Sequence, residues 1–146
     1  MILLTGATGA TGRRVLDALL LRGHGVRCLV RQPARLGTRR VDVGLALWNL
    51  TDVRLPGGAL RGVDTVVHLA GPLSDQPIGH LEELNATASW RLADAAAAAG
   101  VGHFVHVSAL GAGEAAAARF LRFAADPVGH QPRQPDVGTA WQDTST

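Results

Sequence analysis

The chain has no lysine and no tyrosine, one cysteine and one methionine among its 146 residues. The missing lysine excludes a Walker phosphate loop, which needs a Gly-Lys pair. A single cysteine, Cys28, excludes an internal disulfide framework, and its place in an apolar strand pattern reads as a buried small residue rather than a nucleophile. No apolar run is long enough to span a bilayer, and the start lacks the charged region of a signal peptide. The expectation is a soluble, cytoplasmic protein, in which the Asn49-Leu50-Thr51 and Asn85-Ala86-Thr87 sequons carry no glycan.

Charge is also sparse. Charged residues make up 18% against 47% hydrophobic, the balance of a globular chain with a core. The net charge is +2, and all 14 basic residues are arginine, scattered apart from Arg13-Arg14 and Arg39-Arg40. That pattern reads as solvated surface and not as a nucleic-acid patch.

What is present is concentrated at the start. Ile2-Leu3-Leu4 is a short apolar run of the kind a buried parallel strand uses. Thr5-Gly6-Ala7-Thr8-Gly9-Ala10-Thr11-Gly12 follows, then an amphipathic segment from Arg13 to Arg22 with Val15, Leu16, Leu19 and Leu20 on one face. Strand, glycine turn and helix in that order form a phosphate cradle. Gly6 permits the tight strand exit, Gly9 removes a Cβ where a phosphate approaches, and Gly12 lets the helix lie close to the sheet. The helix start offers unpaired N–H groups and a positive dipole end, and Thr8 and Thr11 can add hydroxyl donors.

The rest of the chain alternates. Val26–Val30 reads as a second strand closed by Arg31, the place where an acidic residue would meet the ribose of NAD and an arginine the 2′-phosphate of NADP. Arg31 favours NADP, with NAD the alternative, and Arg35 is a candidate second clamp. Pro33–Arg40 shows no helical period and reads as a loop. A third strand is expected within Val41–Trp48, a fourth over Thr65–Ala70, a long helix over Ile78–Ala99, a fifth strand over His103–Val107 and a last helix over Glu114–Ala125. From Asp126 onward prolines and polar residues predict an irregular tail, which leaves 1–125 as the binding domain. Such alternation predicts an α/β, doubly wound parallel sheet in the order 3-2-1-4-5, with helices on both faces and a ligand at the carboxyl ends of strands one and four.

His68 and His106 end adjacent strands, with His103 near, but His103 and His106 point to opposite faces of a strand, so no metal site is expected. Ser108 lies in no G-x-S-x-G elbow.

The motifs jointly resemble the extended and atypical short-chain dehydrogenase/reductases, closest in flavour to NmrA-like proteins and epimerase/dehydratase relatives. The residues that carry this are Thr5–Gly12, Arg22-Gly23-His24-Gly25-Val26-Arg27, Asn49-Leu50-Thr51-Asp52, Gly62–Gly71 and Phe104–Ala112, over roughly residues 1–122. The resemblance implies a Rossmann-like domain. Gly6, Thr8, Gly9, Ala10, Thr11 and Gly12 would hold the pyrophosphate, and Arg31 the 2′-phosphate. Asn49 and Leu50 would sit beside the adenine, and Leu69, Ala70 and Gly71 would line the nicotinamide-side ribose. Ser108 lies near the place of the family's catalytic serine or threonine. Asn85 matches a helix asparagine of the family.

One departure bears on chemistry. Active members carry Tyr-x-x-x-Lys after the fifth strand, where this chain aligns Phe120 and Ala124, and a phenyl ring transfers no proton. Arg122 could replace part of the charge but not the proton shuttle. The family's later strands and substrate-binding segment are missing, as in a C-terminally shortened member. The expectation is an NAD(P)(H)-binding protein with impaired or no catalysis. The alternatives are an active oxidoreductase or nucleotide-sugar epimerase/dehydratase acting on a small-molecule substrate, and a redox sensor or scaffold subunit with a protein partner.

Overall fold

Leu3 and Leu4 point to opposite sides of their strand, and both are fully buried. Leu3 packs with Leu29, Val66, Ala88, Leu92 and Ala96, while Leu4 packs with Cys28, Val30, Leu16 and Val26. A strand buried on both faces must be apolar without alternation, which is why Ile2-Leu3-Leu4 is a continuous run. The computed structural model from which these contacts come describes residues 1–52, 54–55, 58–72 and 83–108.

Five strands form one parallel sheet: β1 (Ile2–Thr5), β2 (Val26–Val30), β3 (Gly44–Leu47), β4 (Thr65–His68) and β5 (His103–His106), in the order β3-β2-β1-β4-β5. The order is the expected one. Ile2 stands opposite Val26 on one side and Thr65 on the other. Helix α1 (Ala10–Leu21) covers the Leu4 face through Leu16, and helix α2 (Ala88–Ala98) covers the Leu3 face through Ala88, Leu92 and Ala96. The chain leaves β1 toward β2 on one side and reaches β4 on the other, which opens a crevice at their carboxyl ends.

Helix α1 begins at Ala10, three residues before the amphipathic pattern starts. Its N-cap is Gly9, in an extended conformation and with no side-chain cap.

The segment expected as a loop is helical. Pro33–Val41 forms 3-10 turns, broken at Gly37 with φ +63°. Sequence inspection for a 3.6-residue period misses it because the 3-10 repeat is three. The inward-facing residues obey that repeat: Leu36 is buried and Pro33 and Arg39 are half-buried. Arg39 donates to Asp17 through Nε, and through Nη2 at 2.8 Å, which ties these turns to α1.

Strand β3 is narrower than the Val41–Trp48 window. It is the edge of the sheet and mostly exposed, so its pattern is weak, and Trp48 leaves it to enter the core. Strand β4 ends at His68 and not at Ala70, because the amides of Leu69 and Ala70 turn to the Thr5 hydroxyl instead of a neighbouring strand. The long helix is present from Glu83 onward, first as a π-helical turn, Glu83–Thr87, and then as α2. Ser89 donates its hydroxyl back to the Asn85 carbonyl, a bond that loosens helical geometry. Positions 78–82, the helix expected over 114–125 and the tail from 126 lie outside the described residues. Among those residues no helix is long and apolar enough to cross a membrane.

Candidate functional site: a glycine-cornered crevice at the strand ends

The site is built on a strand exit and a helix start pressed together. Gly6 leaves β1 with φ +72°, and a Cβ there would lie 2.7 Å from backbone atoms of Leu69 and Ala70. A Cβ on Gly12 would lie 2.0 Å from the Gly6 carbonyl oxygen. Both positions exclude any side chain. Gly9 differs, since its missing Cβ meets only the Gly6 oxygen, at 3.4 Å. The Gly9 amide donates to that oxygen at 3.0 Å and closes the turn. A helix start without a side-chain cap offers its first N–H groups to an anion.

Around this corner lies a cavity of about 380 Å³, within the size range of small-molecule sites. Its floor is Thr5, Gly6, Thr8 and Gly9. The β2 end contributes Leu29, Val30, Arg31 and Gln32, with Arg35 beyond. Trp48, Asn49 and Leu50 come from the β3 end, and Leu69, Ala70, Gly71 and Pro72 from the β4 end. Arg31 and Arg35 are exposed, and no carboxylate stands among the described lining residues.

Most expected positions therefore meet at one cavity: Gly6, Thr8, Gly9, Arg31, Asn49, Leu50, Leu69, Ala70 and Gly71. Four do not line it. Ala10 and Thr11 are exposed in the first turn of α1, and Gly12 is buried there as a packing residue. Ser108 lies exposed, two residues past the end of β5. Sequence reasoning missed Thr5, Leu29, Val30, Gln32, Trp48 and Pro72. Thr5 had a usable signal, a hydroxyl residue at the very end of the central strand.

Behind the β4 wall sits a polar group that no alternation pattern announces. His68 is fully buried. Its Nδ1 meets Thr5 Oγ1 at 2.6 Å and its Nε2 meets Ser89 Oγ at 2.7 Å. Its ring stacks on His106 with centroids 5.5 Å apart. Burial, reinforced by His106, pushes the His68 pKa down to about 3, so the imidazole is neutral, and burial also lowers that of His106. Among the described residues no cluster of histidine, cysteine and carboxylate side chains could hold a metal ion.

Known proteins are similar to this chain in sequence and in fold. The profile of a family described as NAD(P)H-binding matches residues 6–134. A (4-alkanoyl-5-oxo-2,5-dihydrofuran-3-yl)methyl phosphate reductase of Streptomyces griseus is 40% identical over 121 residues, which are 83% of this chain and 39% of that protein. The chain thus spans about two-fifths of that relative's length. A short-chain dehydrogenase/reductase superfamily protein of Agrobacterium tumefaciens, solved with bound NAD, is 36% identical, superposes with a TM-score of 0.61, and is matched over 75% of this chain and 32% of its own. An NADPH-dependent quinone oxidoreductase of Escherichia coli, complexed with NADPH, shares the fold at a TM-score of 0.67 and 24% identity, over 87% of this chain and 43% of its own. With the glycine corner, the strand order and the profile in agreement, the chain belongs to the NAD(P)H-binding family and has the Rossmann-like fold of short-chain dehydrogenase/reductases.

Proposed function

We propose that the chain binds NADP(H) in preference to NAD(H). The observation that carries this is the β2 end of the cavity, where Arg31 and Arg35 stand and no described lining residue is acidic. A ribose 2′-hydroxyl is recognised by a carboxylate, whereas a 2′-phosphate suits a guanidinium. The pyrophosphate lies against Gly6, Thr8, Gly9 and the start of α1, with Ala10, Thr11 and Gly12 shaping that helix start. Asn49 and Leu50 flank the adenine, and Leu69, Ala70 and Gly71 the nicotinamide-side ribose. When bound, the nicotinamide supplies hydride chemistry.

Hydride transfer by this chain alone is impaired in our reading. It has no tyrosine to act as the acid and no lysine to tune one, and Ser108 is the remaining candidate for a catalytic hydroxyl. The protein then works as a cofactor-responsive sensor or scaffold subunit. A second reading, an active reductase, is favoured by the identity to the Streptomyces griseus enzyme.

Two measurements separate these readings. Titration with NADPH and NADH, on wild type and Arg31→Ala, is expected to give tighter NADPH binding, with the preference lost in the variant. Equal affinities for both cofactors in both proteins would defeat the NADP assignment. Turnover of NADPH with quinones or carbonyl compounds would defeat the impaired reading.

A further inference from the structure

The groups around His68 close into a ring. The amides of Leu69 and Ala70 both donate to Thr5 Oγ1, each at 3.2 Å. A hydroxyl has two acceptor sites and one proton. With both acceptor sites taken, Thr5 must donate, and the atom in line is His68 Nδ1. Nδ1 is therefore unprotonated, and the neutral ring carries its proton on Nε2, which donates to Ser89 Oγ. Ser89 donates to the Asn85 carbonyl, and Asn85 Nδ2 donates to the Pro72 carbonyl at 3.0 Å. The backbone from Pro72 back to Leu69 completes the circuit. Every bond in it has one direction.

That backbone, Leu69–Pro72, is the β4 wall of the cavity. His68 and Ser89 do not line the cavity, yet they determine where Thr5 can point, and Thr5 holds the two amides. The packing is also closed against slack, since a Cβ on Gly71 would lie 2.5 Å from Asn85 Oδ1.

We infer that His68 and Ser89 are positioning residues for cofactor binding: a one-way hydrogen-bond ring through Thr5 and Asn85 presets the Leu69–Pro72 wall and couples it to the start of the α2 segment. This rests on the cofactor reading above. A merely structural histidine would need only volume; this one needs an acceptor at the Nδ1 position, and the Nε2 donation to Ser89 keeps the ring proton off that acceptor.

The test uses the full chain. Nitrogen-15 NMR of the imidazoles in the free protein is expected to show His68 as the Nε2–H tautomer. In NADPH titrations His68→Leu should weaken binding about tenfold, the order of one lost buried hydrogen-bond partner. His68→Asn should stay within about threefold of wild type, because its amide oxygen can take the Thr5 proton at the Nδ1 position. Should His68→Leu not fold, Ser89→Ala serves, with about threefold weaker binding and part of the His68 population moved to the Nδ1–H form. An Nδ1–H tautomer in wild type would overturn the ring alone. Wild-type affinity in the Leu and Ala variants would overturn the positioning role. Folded wild type with the Nε2–H tautomer but no affinity for either nucleotide would overturn the cofactor reading, and the positioning role with it.

Discussion

The α-carbon of Gly12 faces the carbonyl oxygen of Gly6 so closely that a Cβ would stand 2.0 Å from it. The obstacle is backbone, and no side-chain rotation relieves it. Gly12→Ala must therefore push α1 off the end of β1. We expect a loss of at least about 2 kcal/mol in unfolding free energy, within the range for overpacking, together with weaker nucleotide binding. Urea unfolding and NADPH titration of the variant check both. Gly9→Ala, with only a 3.4 Å contact, is expected to keep its stability.

Arg31 ends β2 at the cavity rim, exposed and on the same side as Arg35. Arg31→Asp places a carboxylate where a ribose 2′-hydroxyl would be recognised and a 2′-phosphate repelled. The expected result is a switch toward NADH, with NADPH affinity reduced at least about tenfold, equivalent to ~1.4 kcal/mol. Isothermal titration with each nucleotide reads it.

Burial holds His68 neutral down to about pH 3, against an ordinary value of 6.5. Above pH 6.5 both folded and unfolded states carry a neutral ring, and the stability is fully present. As pH falls from 6.5 toward 3 the unfolded ring takes a proton that the folded ring refuses, so stability is lost, at up to about 1.4 kcal/mol per pH unit. His106 is lowered by burial and adds in the same direction. Unfolding free energies at pH 7, 6 and 5 should fall more steeply for wild type than for His68→Asn.

Leu16 is the α1 residue wholly enclosed with Leu4, Val26, Cys28 and Val30. Leu16→Ala is expected to cost about 2–5 kcal/mol. Thermal or urea unfolding measures it. Leu21, which is 87% exposed at the end of the same helix, is expected to tolerate alanine with little change.

The helical turns at Pro33–Val41 show where sequence reading stops. Their period of three is hidden by Gly37 and by the polar residues around it, and they became visible through Leu36 in the core and Arg39 on Asp17. The early end of β4 was hidden for another reason. Thr65–Ala70 ends in the apolar pair Leu69-Ala70, which continues the strand pattern, and only the Thr5 hydroxyl, from another strand, decides that these two residues leave the ladder. Of the candidate site, the glycine corner and Arg31 were legible because turn chemistry and strand ends are local. Trp48 and Pro72 were not, because lining a cavity depends on neighbours far along the chain.

The amino-acid order by itself determined the strands, their parallel arrangement and the glycine turn that marks the crevice. Those follow from apolar runs and backbone sterics within a few residues. Only the tertiary structure decided that Thr5, His68 and Ser89 share one set of protons. They lie 63 and 21 positions apart, and a hydrogen bond is directional over about 3 Å, so no spacing along the chain encodes it.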